Sequence, residues 1–297
     1  MLSSVLAGAA TAPYAAAHFN RFTDYGLLAN LLTVPMMSLI MASGAVAALL
    51  VPLGLEGVPL WVMEQASRWI LFVAHWIAGL EGAVTPIVVP GPWVLPLITL
   101  GGLWAVLTRG GVRLAAAVPV VLALGLWSQS NRPALLISAD GALAGLLGPQ
   151  GRALSAAKGA GFAAESWLQN DGDLATQAQA AARPGFSGPK GARRFDLGGV
   201  QGVVLTGKNA AAAAAPACAT VQIVVLAAVY DGPVPGGCLM IDATFLRRSG
   251  ALALDVADGD LRITPARGAA RIWAGQGDVM PQTRVAPPGP RLATADQ

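Results

Sequence analysis

Residues His18–Pro35 read "HFNRFTDYGLLANLLTVP". A polar and aromatic cluster runs without interruption into a long apolar segment. Between Asp24 and Glu56 there is no charged residue. A bilayer core about 30 Å thick needs roughly 20 helical residues, so this run exceeds one straight span. The pattern predicts a break at Pro35, which leaves a short entry segment and a helix over about 35–50. Pro52 and Gly54 then end that helix.

Working outward, the 297-residue chain is 55% hydrophobic and 12% charged, off the profile of an ordinary soluble domain. The charges divide it. Residues 1–128 carry only Arg21, Arg68, Arg109 and Arg113 against Asp24, Glu56, Glu64 and Glu81. The expected organisation is therefore a helical membrane part, 1–128, a soluble β-rich part, 129–280, and a disordered tail, 281–297. A formal charge of +3 is too small to indicate nucleic-acid binding by itself.

Two further apolar segments read as spans, about 91–108 within the uncharged run 82–108, and 112–127, whose one charge is Arg113. Six of the eight Trp fall in residues 1–128, several at segment ends, as interfacial anchors do. The loop "TRGGVR" (108–113) has two Arg and no acid, which the positive-inside rule places in the cytoplasm. Everything after Trp127 is then expected in the periplasm of an inner-membrane, multi-pass protein. Residues 58–80 put Glu64, Arg68 and His75 on one narrow helical stripe, with Glu64 and Arg68 spaced for an ion pair. Such a helix either lies in the bilayer interface or lines a water-filled path.

In the back half, "ALLISADGALAGLLGPQGRAL" and "ALALDVADGDLRITPA" read as strands turning at Asp140-Gly141 and Asp258-Gly259. "VQIVVLAAVY" (221–230) reads as a strand buried on both faces, with "CLMID" beside it. A helix is expected to end near Asn170, and 174–194 is expected to be unstructured. The Ala run 210–215 suits a helix or a linker. Cys218 and Cys238 are the only cysteines, either a disulfide or two buried thiols; their spacing excludes a CxxC site. The only histidines, His18 and His75, lie in the membrane half. Asp171/Asp173 and Asp255/Asp258/Asp260 are explained by turn and loop chemistry. No Walker-type loop and no GxSxG elbow occurs, so no catalytic residue, metal or cofactor is assigned.

The segment "ATAPYAAAHFNRFTDYGLLANLLTVPMMSLIMASGAVAALLVPLGLEG" (10–57) resembles the late portion of the competence membrane domain of the ComEC family. His18, Phe19, Asn20, Arg21, Phe22, Tyr25, Asn30 and Pro35 are among the residues that carry the resemblance. It implies a polytopic helical membrane domain that takes part in the uptake of single-stranded DNA in natural transformation. "LLISADGALAGLLGPQG", "WLQNDGD" and "IDATFLRRSGALAL" resemble the C-terminal region of proteobacterial members, which in many relatives is similar to a metallo-β-lactamase-like nuclease domain. The histidines of such a site have no counterpart here. The expectation is a degenerate, metal-free version of that fold or a replacement for it, without catalytic activity. The family's early helices are absent from the chain, so the expected partners are the missing N-terminal part of the channel, other competence proteins, the lipid bilayer and single-stranded DNA.

The DNA-path candidates are His18, Asn20, Arg21, Tyr25 and Asn30. Arg21 suits phosphate, the two Asn suit backbone or base hydrogen bonds, and Phe19, Phe22 and Tyr25 suit stacking. The simpler alternative pairs Arg21 with Asp24 and Asn30 with a neighbouring helix. Two other functions compete: a membrane-anchored periplasmic binding or assembly module with no DNA role, and a decayed metal-dependent nuclease.

Overall fold

The computed structural model describes residues 2–234, 236–257, 259–267 and 282–285. The chain divides into two compact units, Met1–Ser130 and Asn131–Gln297.

Unit 1 is helical. Helix α1 (Leu2–Phe19) leads through strand β1 (Arg21–Thr23) into α2 (Gly26–Leu50), and a 3₁₀ turn, Val51–Leu53, precedes α3 (Gly57–Ala78). Strand β2 (Val84–Pro86) follows, then α4 (Val94–Leu107), a 3₁₀ segment Gly110–Ala116 and α5 (Ala117–Ser128). Helices α2 and α3 form an antiparallel hairpin, shown by Gly44 beside Met63 and by the Trp69 indole donating to the Leu32 carbonyl at 3.1 Å. Tyr14 and Thr99 share a 2.6 Å hydrogen bond that ties α1 to α4. Gly101 lets α4 and the following helix meet: a Cβ there would lie 2.6 Å from Val120 and 3.0 Å from the Ala116 carbonyl.

Pro35 does not break α2 as expected; the helix runs unbroken across it. A helical proline removes one donor and tilts nearby carbonyls outward. The carbonyl left without its helical donor is Leu31 O; on either side of it Thr33 Oγ1 donates to Ala29 O at 2.8 Å and Trp69 to Leu32 O at 3.1 Å. Gly54, at φ 69°, ends the segment where expected. Among the described residues two helical segments are long and apolar enough to cross a membrane, Gly26–Leu53 and Gly110–Ser128. The span expected over 91–108 is the shorter α4.

Unit 2 is α+β. One antiparallel sheet has the order β12-β11-β10-β3-β4-β5, built from β3 (Leu135–Ile137), β4 (Ala144–Gly148), β5 (Gly151–Leu154), β10 (Leu252–Ala257), β11 (Asp260–Pro265) and β12 (Thr283–Val285). The other has the order β6-β7-β8-β9, from β6 (Ala192–Leu197), β7 (Val200–Leu205), β8 (Ile223–Leu226) and β9 (Leu239–Ile241); β8 is parallel to both neighbours.

Side-chain alternation explains how they stack. Leu135, Ile137, Leu252, Leu254 and Leu261 of the first sheet meet Phe195, Val204, Ile223, Val225 and Ile241 of the second in one core. The opposite faces are covered by helices. Leu136 and Leu154 pack under α6 (Gly161–Asn170) and α7 (Gln177–Ala181), while Val203, Val224 and Leu226 pack under α8 (Ala210–Cys218). The result is four layers, helix, sheet, sheet, helix. Helix α9 (Ala243–Ser249), capped by the Asp242 side chain, adds Leu246 to the central core.

Parts of two segments expected to be unstructured form regular structure. Within 174–194, Thr176 and Gln179 form a reciprocal capping box that starts α7, and β6 begins at Ala192. Within 281–297, Thr283–Val285 pairs with β11; the rest of that tail lies outside the described residues. So does Asp258, although β10 and β11 pair up to Ala257 and Asp260 on either side of the expected turn.

Candidate functional site

The polar stretch of unit 1 folds into a corner. Helix α1 ends with His18 and Phe19, and Asn20 turns the chain at φ 55°. Asn tolerates this left-handed conformation better than most side chains, which is why it terminates helices. The Asn20 carbonyl accepts from Ile87 N at 2.9 Å, and β1 then pairs with β2 in the register Arg21↔Pro86, Phe22↔Thr85, Thr23↔Val84. Asp24 continues the contact, accepting from Thr85 Oγ1 at 2.9 Å, and the Tyr25 hydroxyl donates to Glu81 O at 3.4 Å. Helix α2 starts one residue later.

This corner sorts the candidates by exposure. His18, Arg21 and Asn30 are exposed, as are Phe19 and Phe22, while Tyr25 is half-buried. Asn20 is buried, and its Nδ2 has no acceptor among the described residues. Arg21 is therefore accessible at the corner and the Asn20 amide is not. Asp24 is engaged by Thr85, and among the described residues Arg21 makes no ion pair. Asn30 likewise has no hydrogen bond to a neighbouring helix among them. Strand β2, which builds the corner, was hidden in a long uncharged run; Val84-Thr85 between Gly82 and Pro86 was its one local signal.

The α3 stripe lies on the helix that pairs with α2. Glu64 and Arg68 pair at 2.7 Å, both more than half exposed, and His75 Nδ1 contacts Leu71 O at 2.7 Å. Each stripe residue stands two positions from a buried one, Ala66 or Val73, hence about 200° around the helix. The stripe thus points away from the face that α3 packs on α2.

In unit 2 the acidic pair Asp171/Asp173 is spent on arginines rather than on turn geometry alone. Arg152, fully buried, donates to Asp171 at 2.5 and 3.2 Å, to Gly145 O at 2.9 Å and to Pro133 O at 3.1 Å. Arg132 donates to the same carboxylate at 2.7 Å. Gly145 makes room, since a Cβ there would lie 2.8 Å from the Arg152 side chain. Asp173 pairs with Arg183, whose hydrogen bond holds that carboxyl below its ordinary range. Asp255 accepts from Ala134 N at 2.8 Å. No group of three metal-ligating side chains occurs among the described residues.

Cys218 and Cys238 are disulfide-bonded, with Cα atoms 5.2 Å apart. Cys218 also lines a cavity of about 280 Å³ with Gln201, Thr220, Gln222 and Gly237.

Residues 1–111 match the family model described as "Competence protein". The match links the chain to that family through unit 1 and includes the corner and the α3 stripe. No curated protein matches the chain, and no solved structure does.

Proposed function

We propose that unit 1 forms part of a multi-pass inner-membrane channel for single-stranded DNA, acting in natural transformation with other competence proteins. The carrying observation is that the competence-family match, residues 1–111, contains a corner where Arg21 is exposed without an ion pair among the described residues. A strand crossing a bilayer needs a wet path and cations along its phosphates. Arg21 supplies charge, His18 and Asn30 supply hydrogen bonds, and Phe19 and Phe22 supply stacking surfaces. The α3 stripe lines the same path.

Unit 2 lies in the periplasm in this reading and is a non-catalytic, metal-free form of a metallo-β-lactamase-like fold. Its four-layer stacking and the engagement of Asp171 and Asp173 by arginines support that. Transformation frequency in cells carrying Arg21→Ala or Asn30→Leu tests the channel. A drop of tenfold or more at normal protein level is expected; unchanged transformation in both variants overturns the assignment. Cleavage of single-stranded DNA by the purified chain with Mn²⁺ or Zn²⁺ would overturn the non-catalytic role of unit 2.

A further inference from the structure

We infer that the tip of the α4–α5 hairpin is a binding surface for anionic lipid headgroups, held by Arg109 and Arg113. It rests on the membrane reading of unit 1. The two arginines are exposed, and neither makes an ion pair among the described residues. From Gly82 to Ala139 the sequence contains no Asp or Glu, so nothing along this hairpin can neutralise them.

Their surroundings specify the partner. Val106 and Leu107 are each 77% exposed, Val112 is 60% and Leu114 is 79% exposed. Two bare cations thus sit in a ring of bare apolar side chains. Water suits the cations and not the ring; hydrocarbon suits the ring and not the cations. The phosphate layer of a bilayer suits both, with the aliphatic ring below it and guanidinium forks on the phosphate oxygens. Trp104 lies at the same level, its indole donating to Val112 O at 3.1 Å, as interfacial tryptophans stand. A nucleic acid would satisfy the arginines but leave the apolar ring in water. A net negative headgroup is favoured over a zwitterionic one because Arg109 and Arg113 add two charges of one sign.

The test uses the full chain, first floated with vesicles of phosphatidylcholine alone and with added phosphatidylglycerol, then examined by native mass spectrometry for lipids retained from the same mixtures. Each basic residue near an anionic surface contributes about fivefold in affinity. Arg109→Ala with Arg113→Ala should therefore cut phosphatidylglycerol retention by up to about thirtyfold, leaving phosphatidylcholine unchanged. Lysine at both positions should keep the preference, which separates lost charge from lost folding, and Lys190→Ala should change nothing. Flotation of all variants with an unaltered headgroup preference overturns this inference and leaves the membrane reading standing. Failure of the unaltered chain to float overturns the membrane reading itself. Loss of oligothymidylate binding in the double alanine variant, with lipid retention intact, also overturns the inference.

Discussion

Arg152 is the residue whose removal the fold should tolerate least. It is fully buried, and its guanidinium serves one carboxylate and two carbonyls. Arg152→Met leaves Asp171 with Arg132 alone and strands the Gly145 and Pro133 carbonyls, a loss of about 3–5 kcal/mol as for other broken buried pairs. Chemical denaturation followed through Trp167, which packs beside this network, measures it. A second residue-scale effect depends on pH. The Asp173 carboxyl is held below the ordinary aspartate value of 3.8, chiefly by the hydrogen bond from Arg183. A depressed folded value means stability that is present above the unfolded value and lost as pH falls through the folded one. Unit 2 should therefore weaken below about pH 3.8, and Asp173→Asn should flatten that part of the stability profile. Little of this was legible beforehand. Asp171 and Asp173 stand out in the sequence, but Arg132, Arg152 and Arg183 are their partners only once β5, α6 and α7 have packed.

At the scale of elements, the expected break at Pro35 shows where local rules stop. Proline penalties are stated for an isolated helix, and α2 is not isolated: α3 packs along it and donates to the Leu32 carbonyl, next to the Leu31 carbonyl that Pro35 leaves without its helical donor. Trp69→Phe keeps the ring and removes that donor, so the hairpin should lose about 1 kcal/mol, measured by unfolding in mixed detergent. The neighbouring hairpin allows a paired comparison. Gly101→Leu must push against Val120 and the Ala116 carbonyl, whereas Gly102 faces open space and should accept Leu. Overpacking of this kind costs about 1–3 kcal/mol, so only the first variant should lower the melting temperature. Strands β3, β4, β8, β10 and β11 were legible because Asp-Gly turns and β-branched runs mark them locally. Helix α7 was also legible in principle, through Thr176 and Gln179, but its surrounding Ala, Gly and Pro content masked a five-residue element. Strand β12 gave no local signal, because only pairing with β11 makes Thr283–Val285 a strand.

For the whole molecule, the division between Ser130 and Asn131 follows the jump in charge density, with four arginines and four acids in the first 128 residues. Each unit has a different solvent problem. Unit 1 exposes Leu, Val and Trp over its helices, which suits lipid; unit 2 closes three apolar clusters among two sheets and their helices, which suits water. A unit that folds in water on the outer side of an inner membrane can keep a disulfide, and Cys218–Cys238 spans 20 residues. It joins α8 to the connection between the parallel strands β8 and β9, a crossover that carries no helix of its own among the described residues. Closing a loop of that size contributes about 3 kcal/mol in the chain-entropy model. Replacing both cysteines with Ala, or reducing the purified chain, should lower the stability of unit 2 by that amount, read from Trp167 during urea unfolding. Location is tested by the same pair. In intact cells whose outer membrane has been permeabilised, an impermeant maleimide should label Cys218 and Cys238 only after an impermeant reductant has been added. Labelling without reductant means that the thiols are free; no labelling after reduction, in a chain that labels once the inner membrane is lysed, places unit 2 in the cytoplasm and reverses the orientation inferred from Arg109 and Arg113.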